Sequence, residues 1–350
     1  MRSTKLSHFM GLVTVSLGAA VGVLALGGCA SLAVWSAPDK APAAQSSAKA
    51  RAANDRFWQT LHGGRYDDLP PLLDELTAAY LENPNDAQTA AHIGFAHVWR
   101  VSESARLSHR PATVTDDIVL SHKYFSEAVR LAPKDARVLG FLGSMELAEG
   151  AVHGDEKLKR RGYFTSIDAK DAWPEFNLFT MGYSLSRLPY TDGKYQDAVA
   201  YQWQTLDLCA EEPVDRKTAA FSRYMSKETQ QGTKRVCWNS WIAPHNFEGF
   251  FLNMGDMLVK QGDPETARRV YADAKLSKTY ESWPYRDVLE ERIAQAADNV
   301  ALFRKPLVDA EPRRTMMVNT VFSCMACHQA SAPAARPAHE LEPGFDAHAR

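Results

Sequence analysis

The sequence lacks an excess of either charge: 40 lysines and arginines face 42 aspartates and glutamates, a formal net charge of −2 over 350 residues. Such a balance supplies no global field to gather nucleic acid or to hold the chain on an anionic surface. One basic cluster, Lys157, Lys159, Arg160 and Arg161, stands out locally and reads as a solvated helix face or loop rather than an anion site. Hydrolytic signatures are missing as well. There is no Gly-x-Ser-x-Gly, no His-Glu-x-x-His and no phosphate-binding glycine loop, which removes the commonest serine-hydrolase, zinc-protease and nucleotide-hydrolase readings. His92 and His97 lie five residues apart, too far round a helix to share a ligand face, and read as interfacial or core histidines. His245, beside Pro244 at an expected helix start, reads as structural. Alternating strands and Asn-Gly hairpin turns are absent too. From residue 57 to about 303 apolar residues recur at helical spacing, so the expected fold class is all-α.

The first fifty residues differ from the rest. Arg2 and Lys5 precede an apolar stretch over residues 9–26, and Leu26-Gly27-Gly28-Cys29 follows. This resembles the bacterial lipoprotein signal, in which an apolar residue and two small ones precede a cysteine that accepts a diacylglycerol. The resemblance implies a signal peptide over residues 1–28, cleavage before Cys29 and lipidation of its thiol. The competing reading is an uncleaved membrane helix, since 18 apolar residues just span a bilayer. Gly18, Gly22, Gly27 and Gly28 make a poor permanent helix and weigh against it. Ala30, rather than Asp, after the cysteine implies an outer-membrane address facing the periplasm. Residues 36–54, rich in Ala, Pro, Ser and Lys, read with Cys29 as a flexible tether over 29–54.

Within residues 55–305 the sequence echoes itself. Leu81-Glu82-Asn83-Pro84 and Leu131-Ala132-Pro133 each close a helix, and Gly94 and Gly143 each lie ten residues beyond the proline. Gly255, Ala267, Tyr271 and Ala274 follow the register of the tetratricopeptide repeat, with Gln261-Gly262-Asp263-Pro264 as the turn. Gly182 and Ala198 fit with four residues inserted near 189–192. Phe125, Ala128 and Pro133 fit a second helix whose partner, around Gly94, is separated by an insertion near 104–115. The resemblance implies stacked antiparallel helical hairpins forming a solenoid with a partner-binding surface. Residues 151–170 fit the register poorly. Trp99, Trp173, Trp203, Trp238, Trp241 and Trp283 read mainly as fillers between helices rather than as the lining of a concave face.

Five cysteines remain to be assigned, and Cys29 takes the lipid. Cys324-Met325-Ala326-Cys327-His328 resembles the haem-attachment site of c-type cytochromes. Two thiols at this spacing reach the two vinyl groups of one haem, and the adjacent imidazole reaches the iron. The resemblance implies one covalent haem c on a short helical segment over residues 306–332, with Cys324 and Cys327 attaching it and His328 as the proximal ligand. A redox-active disulfide and a zinc site are the alternatives, but the context of a thioredoxin fold and a second cysteine pair are both lacking. Met316 and Met317 precede the motif on an expected helix over 314–322, too far along it to reach the same iron, and read as apolar packing. His339, beyond Pro333 and Pro337, is a candidate sixth ligand, and His348 a weaker one, in a tail over 333–350 expected to be disordered. Cys209 and Cys237 flank a polar insertion and are expected to pair in an oxidising compartment.

The expected function is therefore electron transfer by a lipid-anchored monohaem cytochrome, whose helical body docks a redox protein partner and binds no nucleic acid. The alternative is a non-catalytic scaffold lipoprotein for envelope assembly, with Cys324 and Cys327 as a disulfide. A thiol–disulfide exchanger is a third reading.

Overall fold

A computed structural model describes residues 31–104, 112–305 and 316–319. Every regular element among the described residues is helical, and no strand occurs there. No helix among them is long and apolar enough to cross a membrane. The chain divides into a small unit, residues 1–41, and a large one, residues 42–350.

In the small unit, residues 31–35 are helical, and Ser36 N–H donates to the Leu32 carbonyl at 2.8 Å.

The large unit contains twelve α-helices among its described residues. They are α1 (Ala48–His62), α2 (Leu69–Glu82), α3 (Ala87–Ser104), α4 (Val114–Leu131), α5 (Ala136–His153) and α6 (Glu156–Ala172). After these come α7 (Pro174–Leu185), α8 (Gly193–Ala210), α9 (Asn246–Gln261), α10 (Pro264–Asp273), α11 (Arg286–Ala294) and α12 (Asn299–Phe303). Each boundary has a local cause. Side chains of Ser47, Asp135, Asp155, Asp192 and Asp263 accept hydrogen bonds from the first turns of α1, α5, α6, α8 and α10, satisfying N–H groups that a helix start leaves without partners. Helices α2 and α4 stop two residues before Pro84 and Pro133. Gly262, at φ 109°, ends α9 in the left-handed conformation that glycine adopts at least cost.

Helix α1 begins at Ala48, inside the stretch expected to be a tether, with Ala50, Ala53 and Asn54 buried. Asn54 donates to Thr89 and accepts from His92, so this alanine-rich segment packs through small residues and one amide rather than through large apolar side chains. His92 and His97 are both buried, His97 against Asp117 at 2.8 Å, which fits the expected core role.

Successive helices from α1 to α11 pack on one another along the chain, with further contacts of α1 on α3, of α5 on α7 and of α12 on α9. Small residues set the closest approaches. A Cβ on Gly94 of α3 would lie 2.8 Å from the Phe125 ring of α4, and one on Gly255 of α9 would enter the Tyr271 ring of α10. Helices α5 and α6 meet through Gly143 and Gly150 facing Gly162, Ser166 and Lys159. This accounts for residues 151–170, which fit the repeat register poorly yet form the end of α5 and most of α6. Lys157 and Arg160 sit on its solvent side, whereas Lys159 and Arg161 pair with Glu156 and Glu146.

The core has two parts. One gathers α1 to α5 around Phe57, Leu72, Trp99 and Phe125, and the other gathers α7 to α12 around Tyr195, Phe251, Met257 and Tyr271. Asn177 bridges them, its amide donating to the Ala136 and Ala169 carbonyls at 3.0 and 2.8 Å. Of the six tryptophans read as fillers, Trp99, Trp173, Trp238 and Trp283 are buried, while Trp203 and Trp241 are half-buried.

Between α8 and α9 the chain runs through an irregular segment, residues 211–245, with two short 3-10 turns. Cys209 and Cys237 form a disulfide across its base, Cα atoms 5.8 Å apart. The Thr233 carbonyl accepts from the Trp173 indole at 2.9 Å, and Arg235 lies over that ring. Farther on, the Ile242 carbonyl meets His62 Nε2 at 3.1 Å and Trp241 packs edge-on to Trp58. The segment therefore joins helices from both parts of the core.

Candidate functional site

Helix α9 is the frame of the site. Fourteen consecutive residues, Phe247 to Lys260, are buried, so its ionisable residues must be satisfied from within the protein. Three occur: Glu248, Asp256 and Lys260. Glu248 accepts from Asn239 Nδ2, Ser277 Oγ and Thr279 Oγ1 at 2.6–2.7 Å, with His245 Nδ1 at 3.4 Å. Burial pushes this carboxyl up, but the donors together outweigh it and hold the group below its ordinary value. Lys260 donates to the Ser186 and Leu188 carbonyls at 2.7 and 2.9 Å and lies over the Tyr195 ring. Burial, with Arg187 adding to it, lowers its ammonium to about 8.

Asp256 has the most consequential surroundings. Oδ1 accepts from the Tyr271 hydroxyl at 2.6 Å and lies 3.3 Å from Arg292 Nε, while Oδ2 accepts from the Met317 backbone N–H at 2.7 Å. Burial pushes the Asp256 carboxyl up, and Arg292, Tyr271 and the Met317 N–H oppose that. The same burial, with the Asp256 charge beside it, drives the Tyr271 hydroxyl far above its ordinary value and keeps it a donor.

Met317 brings the C-terminal segment to this point. Met316–Asn319 is a 3-10 turn packed on α9, and both methionine side chains join the core of the second half. Ser186 Oγ, at the end of α7, lies 2.6 Å from the Tyr183 carbonyl, which takes its proton, and contacts Met317 Sδ at 2.9 Å. The helix expected over 314–322 therefore does not run unbroken through these residues, because Met317 takes the left-handed φ of 59° that turns its N–H toward Asp256. That conformation costs about 1–3 kcal/mol. Burying the two methionines returns about 1.5–3 kcal/mol each, which offsets that local strain. The expectation that Met316 and Met317 are packing residues is met, and what they pack against is the helical body.

Cys29, Cys324, Cys327, His328, His339 and His348 lie outside the described residues. Among the described residues no group of three or more His, Cys, Asp or Glu is arranged to hold a metal ion. Behind the disulfide a cavity of about 10 Å³, lined by Phe179, Leu206, Phe247 and Phe251 among others, has room for roughly one water and no larger ligand. Sequence reasoning missed the seat itself: Ser186, Asp256, Tyr271 and Arg292 were not singled out as a group. The available signal was Asp256 and Lys260 inside the apolar run of α9, where charge needs a buried partner.

No protein-family model matches the chain, and comparisons with curated proteins and with solved structures find no match either.

Proposed function

We propose that this chain is a lipid-anchored monohaem c-type cytochrome of the bacterial envelope, built on tetratricopeptide-like stacked hairpins and passing electrons to a docked redox protein. The observation that carries the reading is Cys324-Met325-Ala326-Cys327-His328, seven residues beyond a segment seated in the core at Met317. Seven residues span at most about 25 Å, so the motif begins within that distance of Met317. The donor set suits haem c: two thiols for the vinyl groups, with His328 beside them for the iron and His339 as a candidate sixth ligand. A haem so held supplies reversible one-electron chemistry.

The chain's own residues do the holding. Asp256 fixes the Met317 backbone, Ser186 and the second core fix its side chain, and Arg292 and Tyr271 fix Asp256. The hairpin reading draws support from the close approaches of Gly94 to Phe125, Gly182 to Ala198 and Gly255 to Tyr271. The Cys209–Cys237 disulfide suits a compartment outside the cytoplasm, which is also where haem c is attached and where a lipid on Cys29 would hold the chain, on the outer membrane facing the periplasm.

The test is covalent haem. The chain is produced from a host that matures c-type cytochromes, denatured, and assayed for bound haem and a reduced α-band. Haem that survives denaturation and is lost with Cys324→Ala and Cys327→Ala is the expected result. A colourless chain from a host that matures a control cytochrome refutes the reading and leaves the scaffold lipoprotein, with Cys324 and Cys327 as a disulfide.

A further inference from the structure

The small unit carries an apolar surface that the proposed function leaves unused. Leu32, Val34 and Trp35 are 60%, 78% and 82% exposed on the 31–35 turn. Large apolar residues so exposed and so close together need a partner of matching chemistry. We propose that this turn is a membrane-surface anchor that inserts its apolar side chains into the headgroup region of the bilayer holding Cys29. The proposal rests on the lipoprotein reading for where the turn sits. Its recognition chemistry is its own.

Three observations select a lipid surface over a protein. Ser31, the first of the described helical residues, lies two residues after Cys29 in the sequence, so a lipidated thiol would hold the turn at the headgroup level. Its composition is apolar with one tryptophan, the ring that favours the membrane–water boundary because its body is apolar and its N–H is polar. Ser36 N–H donating to Leu32 O, and Ala37 N–H to Val34 O, internally satisfy backbone groups that insertion would otherwise strip of water. The lipid supplies affinity, and the turn adds position. It moves the start of the leash to the large unit from Cys29, 13 residues before Pro42, to Trp35, seven before it. A shorter leash confines the body more closely to the surface on which a membrane-bound partner would move.

The experiment uses the full mature-length chain in two forms, native and Leu32→Ser/Val34→Ser/Trp35→Ser, each with Cys29→Ala behind a secretory signal so that neither is acylated. Both are mixed with vesicles of phosphatidylethanolamine and phosphatidylglycerol bearing brominated acyl chains. Flotation reads partitioning, and quenching of tryptophan emission reads insertion. The native turn is expected to raise partitioning about tenfold or more over the triple variant and to show quenching that Trp35→Ser alone removes. Thermal unfolding of the two forms should coincide, since these side chains are exposed. Equal partitioning with no quenching overturns the proposal. So does a concentration-dependent dimer, read by sedimentation, that the triple variant abolishes, because the patch would then bind a second copy. Mass analysis of the N-terminal peptide from the chain with Cys29 and its own signal tests acylation separately. An unacylated Cys29 there refutes the lipoprotein reading and with it the placement, whatever the vesicles show.

Discussion

Replacing Asp256 with Asn tests whether the C-terminal segment is latched by charge or only packed. The amide keeps the size of the carboxylate and one acceptor oxygen but removes its charge and half its accepting capacity. Asp256 is fully buried and Arg292 is 1% exposed, so solvent cannot replace the counter-ion that Arg292 loses at 3.3 Å. Breaking a buried pair from one side costs about 3–5 kcal/mol, a large part of the roughly 5–15 kcal/mol that holds a domain folded. The Met317 N–H and the Tyr271 hydroxyl must then share one oxygen, or one of them meets an amide donor. Arg292→Met alone should cost a similar amount by leaving the carboxylate without its cation. The double variant should cost less than the sum of the singles by at least about 1 kcal/mol, since the pair is removed together. Urea unfolding followed by circular dichroism gives these values, and hydrogen exchange of a peptide containing Met317 reads the latch directly. Its amide should exchange faster in Asp256→Asn than in the native chain, beyond what the loss of global stability explains. A loss under about 1 kcal/mol, or additivity within about 0.5 kcal/mol, would refute the charged latch.

Three further outcomes follow from the packing and the titrating groups. Replacing Cys209 and Cys237 with Ala should lower stability by roughly 3–4 kcal/mol for a 28-residue separation in the chain-entropy model, with protease cleavage appearing within residues 211–245; unchanged unfolding would argue that the segment is held without the bridge. Gly94→Ala should cost about 1–3 kcal/mol because its methyl meets the Phe125 ring, whereas Gly193→Ala, with nothing within 4 Å, should be neutral or stabilising by up to about 1 kcal/mol; equal melting shifts would count against close helix approach as the cause. Two buried groups give opposite pH dependences. Burial, reinforced by Arg137, lowers His92 from 6.5 to about 3, so its contribution is present above pH 6.5 and is lost as pH falls toward 3, and His92→Gln should be less acid-sensitive. Burial raises Asp273 from 3.8 to about 7 against the Phe221 N–H, so stability from this group is lost as pH rises from about 4 to about 7. The stability of Asp273→Asn relative to the native chain should therefore climb across that window, and a flat difference would refute the assignment.

What could be read from sequence was whatever has a local cause. Pro84 and Pro133 mark helix ends, Gly262 marks a turn, and a glycine twelve residues before an alanine marks two helices that touch. Cys209 and Cys237, flanking a polar insertion, could be paired from their placement in the sequence. What escaped lacks a local signature. Helix α1 starts at Ala48 because Ser47 caps it and alanines pack it, yet alanine and serine also compose tethers. The fit of α5 on α6 depends on glycines and a serine from two helices, and neither helix alone announces its partner. The seat of Met317 draws on Ser186 and Asp256, 131 and 61 residues away, and no periodicity encodes a contact that distant.

The bond between His62 and Ile242 also bears on the order in which the protein takes shape. A chain is synthesised N-terminus first, so α1 is delivered 180 residues before the carbonyl that meets its last residue and before the indole that covers Trp58. Until then Trp58 and His62 lack these partners, and closing so long a loop is slow. The first helix to arrive is therefore among the last to be finished, and the interval between is when a chaperone would find something to hold.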